Sequence, residues 1–258
     1  MQACRFLHAH VQLSHSAELT ALPDQGKVAR TLQNDQYANG STWQFTGLNL
    51  RFRDWRFVHR ARLNCIPLNS PKSRWSNCSP TCRHCNDDET LPHVICHCLP
   101  NMVAIRQRHD KICDRLTNAI RFGEVTTDRC VPDTSRLRPD IVLEELNQVS
   151  IIDVTCPFEN DPQALDDAAQ RKVNKYASLV EHFLGIGKQA TVLPFVIGAL
   201  GTWYPPNEIV LRRLGMTKRY KKLFRKLCCT DVIQGSSDIY RLHLGIDVMD
   251  DLRATAED

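Results

Sequence analysis

The feature that most constrains this chain is a close-set array of thiols and one imidazole, Cys82-x2-Cys85-x7-His93-x4-Cys98. Zinc takes four soft or borderline ligands in a tetrahedron, and a Cys-x2-Cys turn can present two thiolates to one ion. His93 and Cys98 then close the site from a following helical turn. Cys78, Cys96 and His97 lie near enough in sequence to replace one of the last ligands. The intervening Asp87, Asp88 and Glu89 are too polar to build a core, so a small fold held by metal is expected between residues 76 and 100. Four protein ligands leave no open position, which makes this Zn²⁺ structural rather than catalytic. The competing reading is a group of unliganded thiols.

A disulfide framework would also use many cysteines, and the chain has 12. Such frameworks belong to small secreted domains. Here the chain runs to 258 residues, and Met1-Gln-Ala-Cys-Arg is not a basic-then-apolar leader. The scattered Cys4, Cys65, Cys113, Cys130 and Cys156, and the adjacent Cys228 and Cys229, are expected to be mostly buried spectators. A hydrophobic fraction of 42% excludes a fully disordered chain. No uncharged apolar run reaches the roughly 18–20 residues that span a bilayer. The expectation is a soluble, intracellular protein with one large domain or two modest ones.

Residues 1 to about 45 are polar and weakly patterned. An arginine- and aromatic-rich stretch follows, including Arg51, Phe52, Arg53, Trp55, Arg56, Phe57, Arg60 and Arg62. After the cysteine window, Val103, Ile112, Leu116 and Ile120 predict a helix over 102–122 that Gly123 can end. Arg138 to Leu143 and Val149 to Thr155 read as two strands joined by a short polar turn, and Pro157 stops the second. Asp161-Pro162 opens a helix carried by Leu165, Ala169, Val173, Tyr176, Val180 and Leu184. Thr191 to Ile197 is a third strand. Asn207 to Leu227 is mostly helical with a break at Gly215, and the acidic end, Asp247 to Asp258, is expected to fray. Strand, strand, helix, strand, helix is an α/β pattern.

Asp140 and Asp153, thirteen residues apart, emerge from these two apolar strands, and the hairpin can bring both carboxylates to one end of the sheet. Two converging carboxylates form a hard oxygen site suited to Mg²⁺, which can polarise a phosphodiester and lower the pKa of a bound water. The bland alternative is a turn aspartate at Asp140 and edge protection at Asp153. On the next helix, Lys172 and Lys175 share one stripe, from which either could reach the sheet's end and hold water or a scissile phosphate.

In their order, the zinc array, Arg138-Pro139-Asp140, then Ile152-Asp153-Val154-Thr155-Cys156-Pro157-Phe158-Glu159, then Lys172-Val-Asn-Lys175-Tyr176 resemble a known arrangement. It is the carboxy-terminal region of site-specific non-LTR retrotransposon polyproteins, in which a Cys-Cys-His-Cys knuckle precedes a restriction-like endonuclease of the PD-(D/E)xK fold. The resemblance covers roughly residues 43 to 227. It implies a restriction-endonuclease-like α/β fold, a mixed sheet flanked by helices, behind a zinc knuckle and a helical basic linker. It also implies Mg²⁺-dependent nicking of target DNA to leave a 3′ hydroxyl primer for reverse transcription. Asp140 and Asp153 would hold the metal, Lys172 or Lys175 would be the catalytic lysine, and Arg138 and Tyr176 would support the site. Where the parent fold has a lysine two residues after the second acid, this chain has Thr155, so the lysine must come from the helix. The expected division is a basic linker or thumb remnant at 1–75, the knuckle at 76–100, the endonuclease at 101–235 and an acidic tail at 236–258. No polymerase signature occurs in residues 1–75, so the chain reads as a carboxy-terminal fragment of a longer polyprotein, a degenerate copy or a separately expressed remnant; the endonuclease reading places it in the nucleus.

The net charge of +4 understates one basic face. Arg212, Arg213, Lys218, Arg219, Lys221, Lys222, Arg225 and Lys226 crowd one segment, with apolar residues between them. On a half-buried helix they can follow a phosphate backbone and release counterions. Arg56, Arg60 and Arg62 add stacking and phosphate contacts suited to single strands or to the element's RNA. Two rivals remain: a non-catalytic, zinc-dependent nucleic-acid-binding remnant, and a module whose knuckle serves a protein partner.

Overall fold

A computed structural model describes residues 2–41, 43–47, 49–131 and 137–246, so the acidic end at Asp247–Asp258 lies outside the described residues. The polar amino-terminal stretch, for which the sequence gives little pattern, is helical: α1 (Gln2–Ala21), α2 (Gly26–Leu32), α3 (Asp35–Ala38) and α4 (Trp43–Thr46). Among its described side chains Val28 and Trp43 reach a core, while Leu7 and Leu13 of α1 face solvent. That is why no amphipathic stripe announces it. Helix α5 (Phe52–Arg62) does have two faces, with Phe57, Val58 and Ala61 buried and Arg56 and Arg60 outside. The short α6 (Asn69–Lys72) leads into the cysteine window.

In that window Thr81 and Asp88 form an antiparallel bridge around the Cys-x2-Cys turn. A single π-helical turn, His93–His97, is followed by a 3-10 turn at Leu99–Asn101 and then by α7 (Met102–Thr117). Helix α7 stops five residues before the expected end at Phe122. Gly123, with φ of 70°, serves instead as a close-approach point. A Cβ there would meet the Glu144 carbonyl oxygen at 2.6 Å.

The sheet has four strands in the order β1 (Glu124–Thr127), β2 (Ile141–Glu144), β3 (Gln148–Thr155) and β4 (Gln189–Val196). The β1–β2 and β2–β3 pairs are antiparallel and the β3–β4 pair is parallel, so the sheet is mixed. The parallel pair needs a crossover, supplied by α8 (Pro162–Lys175) and α9 (Ala177–Gly185). As the sequence predicts, Asp161 caps α8 by accepting from the Ala164 amide at 2.7 Å, with Pro162 in the first turn. The expected continuous helix is interrupted at Tyr176, whose backbone (φ −105°, ψ 13°) is not helical. Helices α10 (Asn207–Arg213) and α11 (Lys218–His243) follow β4, and α11 runs well beyond the expected Leu227.

Strand side chains alternate between faces, and helices cover both. On one face Ile141, Leu143, Ile152, Val154 and Phe195 pack with Ile112 and Leu116 of α7 and with Phe224, Cys228 and Val232 of α11. On the other, Val142, Val149 and Ile151 pack with Tyr176, Leu179 and Phe183. Truncating a buried anchor such as Phe195 to alanine costs about 3–5 kcal/mol. Pro194 lies within β4, which is tolerated because β4 is an edge strand. The observed architecture is thus a mixed α/β layer structure with a four-stranded sheet flanked by helices.

Candidate functional site

Ile141 pairs with Ile152 across β2 and β3. Asp140, one residue before, and Asp153, one residue after, therefore lie on neighbouring strands where the ladder ends. Asp153 is 1% exposed and Asp140 is half-buried. Each is gripped from a different helix layer. Asp140 Oδ2 accepts from the Val154 amide at 2.6 Å and lies 3.1 Å from His109 Nε2 on α7. Asp153 accepts from the Tyr176 hydroxyl through Oδ1 and forms an ion pair with Lys172 through Oδ2. Lys175 Nζ is 3.9 Å from Asp153 Oδ1, donates to the Tyr176 hydroxyl oxygen at 2.6 Å and stands 4.5 Å from its ring centroid.

The electrostatics follow from this crowding. Burial raises the Asp140 pKa, but His109, the Val154 amide and the Lys172 charge outweigh it, and the net shift is downward. Lys172 thus acts on both carboxylates. Burial opposes a charge on His109, yet Asp140 and Cys113 overcome it and raise the imidazole pKa. The Tyr176 pKa is raised by burial and by its bond to Asp153, so the phenol stays protonated and remains a donor. Its oxygen is also 3.0 Å from the Arg138 carbonyl oxygen, which ties the turn before β2 to the break between α8 and α9. The exposed Arg138 guanidinium bonds Asp128, 3.0 Å from its carboxylate.

The second centre is the thiol array. One ligand atom from each of Cys82, Cys85, His93 and Cys98 lies within 4.8 Å of the others, so this cluster could bind a metal ion and is compatible with zinc. Cys82 Sγ and Cys98 Sγ are 4.0 Å apart, and Cys85 Sγ is 3.2 Å from His93 Nε2. With bonds of about 2.0–2.3 Å, a tetrahedral zinc needs ligand separations of about 3.3–3.8 Å. The π turn explains the His93-x4-Cys98 spacing. It closes residue i to i+5, the Cys98 amide donating to the His93 carbonyl at 2.8 Å, and turns the two side chains to one side. Burial and the neighbouring Cys82 and Cys85 push the Cys98 thiol up to about 12, a crowding that a dication would relieve. The sequence alternatives point elsewhere: Cys96 Sγ is 3.7 Å from the Cys156 carbonyl oxygen, Cys78 is exposed beside Ser76, and His97 is exposed.

Glu89 departs from the polar-linker expectation, for it is fully buried. It accepts from the Asn69 amide at 2.8 Å and from Arg83 Nε at 2.7 Å, and it lies 2.9 Å from Nε2 of the buried His243 at the end of α11. Burial alone would raise its pKa, but these donors bring it down to about 2. His243 Nε2 is in turn 3.9 Å from Cys82 Sγ, so α11 reaches the thiol cluster directly.

The basic residues divide. Arg212, Lys218, Arg219 and Lys222 are exposed and Lys221 is half-buried. Arg213 pairs with Glu145, and Arg225 donates to Glu208 at 2.7 Å. Arg56 and Arg60 are exposed on α5. Arg62 is not available to a ligand: it is 6% exposed and donates to the Leu200 carbonyl at 2.8 and 3.2 Å and to Ser41 Oγ at 3.1 Å. No helix among the described residues is long and apolar enough to cross a membrane.

Comparison with known proteins adds a lineage. No family model matches the chain. It is 30% identical over 186 residues to the Retrovirus-related Pol polyprotein from type-1 retrotransposable element R2 of Popillia japonica. It is 29% identical over 122 residues to the corresponding polyprotein from type-2 retrotransposable element R2DM of Drosophila melanogaster. The alignments cover 68% and 45% of this chain, but only 36% and 11% of the relatives' lengths. The chain is thus homologous to part of the R2 non-LTR retrotransposon Pol polyproteins.

Proposed function

We propose that this chain is the Mg²⁺-dependent DNA endonuclease part of a non-LTR retrotransposon Pol polyprotein, and that it nicks target DNA to prime reverse transcription. The observation that supports the reading is the position of Asp140 and Asp153 on neighbouring strands at one end of the β2–β3 ladder, with the Lys172 ammonium against Asp153. A hard dication fits this pair. Both donors are carboxylates, and the buried Asp153 Oδ2 has no aligned hydrogen-bond donor, only the Lys172 charge beside it. Asp140 and Asp153 would hold Mg²⁺, which when bound polarises the scissile phosphate and lowers the pKa of water.

The remaining work belongs to side chains. Lys172, already drawn to both acids, stabilises charge developing on the phosphate and holds the attacking water. Tyr176 orients Asp153, and Lys175 orients Tyr176 from its other side. Arg138 exchanges Asp128 for a substrate phosphate. Cys82, Cys85, His93 and Cys98 hold a structural Zn²⁺, forming a knuckle fixed to α11 by Glu89 and His243. Arg212, Lys218, Arg219, Lys221 and Lys222 bind the DNA backbone, Arg56 and Arg60 bind the element's RNA, and the reaction takes place in the nucleus.

The test is nicking of supercoiled DNA with Mg²⁺ by the chain and by Asp153→Ala. Loss of nicking with binding retained supports the reading. Equal nicking by both ends it. DNA binding without nicking by either protein would leave a non-catalytic nucleic-acid-binding remnant.

A further inference from the structure

Beside the acid pair is a donor set that oxygen chemistry does not require. His109 and Cys113 are one helical turn apart on α7 and so face the same way. Cys113 Sγ lies 3.7 Å from His109 Nδ1 and 3.9 Å from Nε2, and His109 Nε2 lies 3.1 Å from Asp140 Oδ2. One ligand atom of each of the three residues falls within 4.8 Å of the others. These separations bracket the roughly 3.3–3.8 Å edges of a tetrahedral site with bonds of 2.0–2.3 Å. All three residues are half-buried, so the cluster is neither sealed in the core nor loose on the surface.

Thiolate, imidazole and carboxylate together are the ligands of a borderline-soft transition cation. They discriminate against Mg²⁺, which favours oxygen and gives up its water reluctantly. Three protein ligands would also leave a fourth position open. We propose that His109, Cys113 and Asp140 form a second binding site for a zinc-class transition cation, and that filling it withdraws Asp140 from the Mg²⁺ pair and switches cleavage off. The site stands on its own geometry, and its effect on cleavage rests on the endonuclease reading above. Both functions depend on the one Asp140 carboxylate, whose Oδ2 already bonds His109 and the Val154 amide, so the two ions compete.

The experiment measures zinc bound per chain in a zinc buffer, for the wild-type chain, Cys113→Ala and His109→Gln, with folding followed by circular dichroism. The wild type is expected to hold one zinc more than either variant, whatever the thiol array elsewhere retains. Equal zinc in all three proteins overturns the site and leaves an ordinary His109–Asp140 ion pair. In the second arm, nicking with excess Mg²⁺ is followed as zinc is added. Cys113→Ala should nick like the wild type without zinc and keep nicking where the wild type stops. Equal zinc sensitivity in the two proteins overturns the coupling to Asp140. If no form nicks at all, the endonuclease reading fails, while the zinc count still decides the site.

Discussion

Arg62→Ala separates a structural arginine from a nucleic-acid contact. The sequence groups Arg62 with Arg56 and Arg60 as candidate phosphate contacts, yet its guanidinium spans the interior from Ser41 to the Leu200 carbonyl and sits 4.8 Å from the Trp43 ring centroid. Burial lowers the Arg62 pKa to about 10, with the buried Glu159 opposing that shift. Glu159 is itself raised by burial and lowered by Arg62, and it accepts from the Leu200 amide at 2.9 Å. Gly198 makes room for this carboxylate, since a Cβ there would lie 2.6 Å from it. Removing Arg62 strands the Leu200 carbonyl and the Ser41 hydroxyl, at about 1–3 kcal/mol for each unsatisfied group. It also removes the charge that lowers the Glu159 pKa, although the two side chains form no direct ion pair. The two unsatisfied groups together set the expected loss at about 2–6 kcal/mol. Urea unfolding at neutral pH reads it, alongside DNA affinity measured against salt below the transition. Arg62→Ala should leave the salt slope unchanged, whereas the exposed Arg60→Ala should change stability by no more than about 0.5 kcal/mol. A stable Arg62→Ala whose slope falls by about 0.9, the contribution of one phosphate contact, would refute this reasoning.

Three further outcomes follow. Tyr176→Phe keeps the ring but removes the donor to Asp153, so nicking should fall by about tenfold or more, equivalent to one hydrogen bond of about 1.4 kcal/mol; an unchanged rate would remove Tyr176 from the site. His243→Ala takes away the group joining Glu89 and Cys82 to α11, and should weaken zinc binding by about 10–100-fold in chelator competition. Equal affinity would show that the knuckle does not depend on α11. Replacing Lys218, Arg219 and Lys222 together by alanine should lower the salt slope of DNA binding by about 2.7, at about 0.9 for each phosphate contact, and an unchanged slope would move the DNA to another face.

The parts of this molecule legible in the sequence are those with local signals. The strands around Asp140 and Asp153 are short apolar runs, Asp161-Pro162 opens a helix at the residues observed, and the thiol array lies within one short window. Strand β1 gives no sequence signal because Glu124-Val-Thr-Thr has a single apolar residue and none of its residues is buried. The break at Tyr176 has no sequence signal because the apolar stripe passes through it; the interruption coincides with a hydroxyl bonded to Asp153 on β3. Glu89 and Arg62 read as surface residues because their partners, His243 and Leu200, are remote in sequence. His109 does carry a local signal, the His-x3-Cys spacing on α7, but a reading that follows only the apolar face of that helix passes over it.

The most direct test of the central claim is calorimetric titration of Mg²⁺ into the wild-type chain, Asp140→Asn and Asp153→Asn, with one equivalent of zinc for the four-ligand thiol cluster and no excess left for the His109 site. If the two acids hold one ion jointly, the wild type binds Mg²⁺ at a site that both variants lose. A variant that binds Mg²⁺ as the wild type does would contradict the shared site.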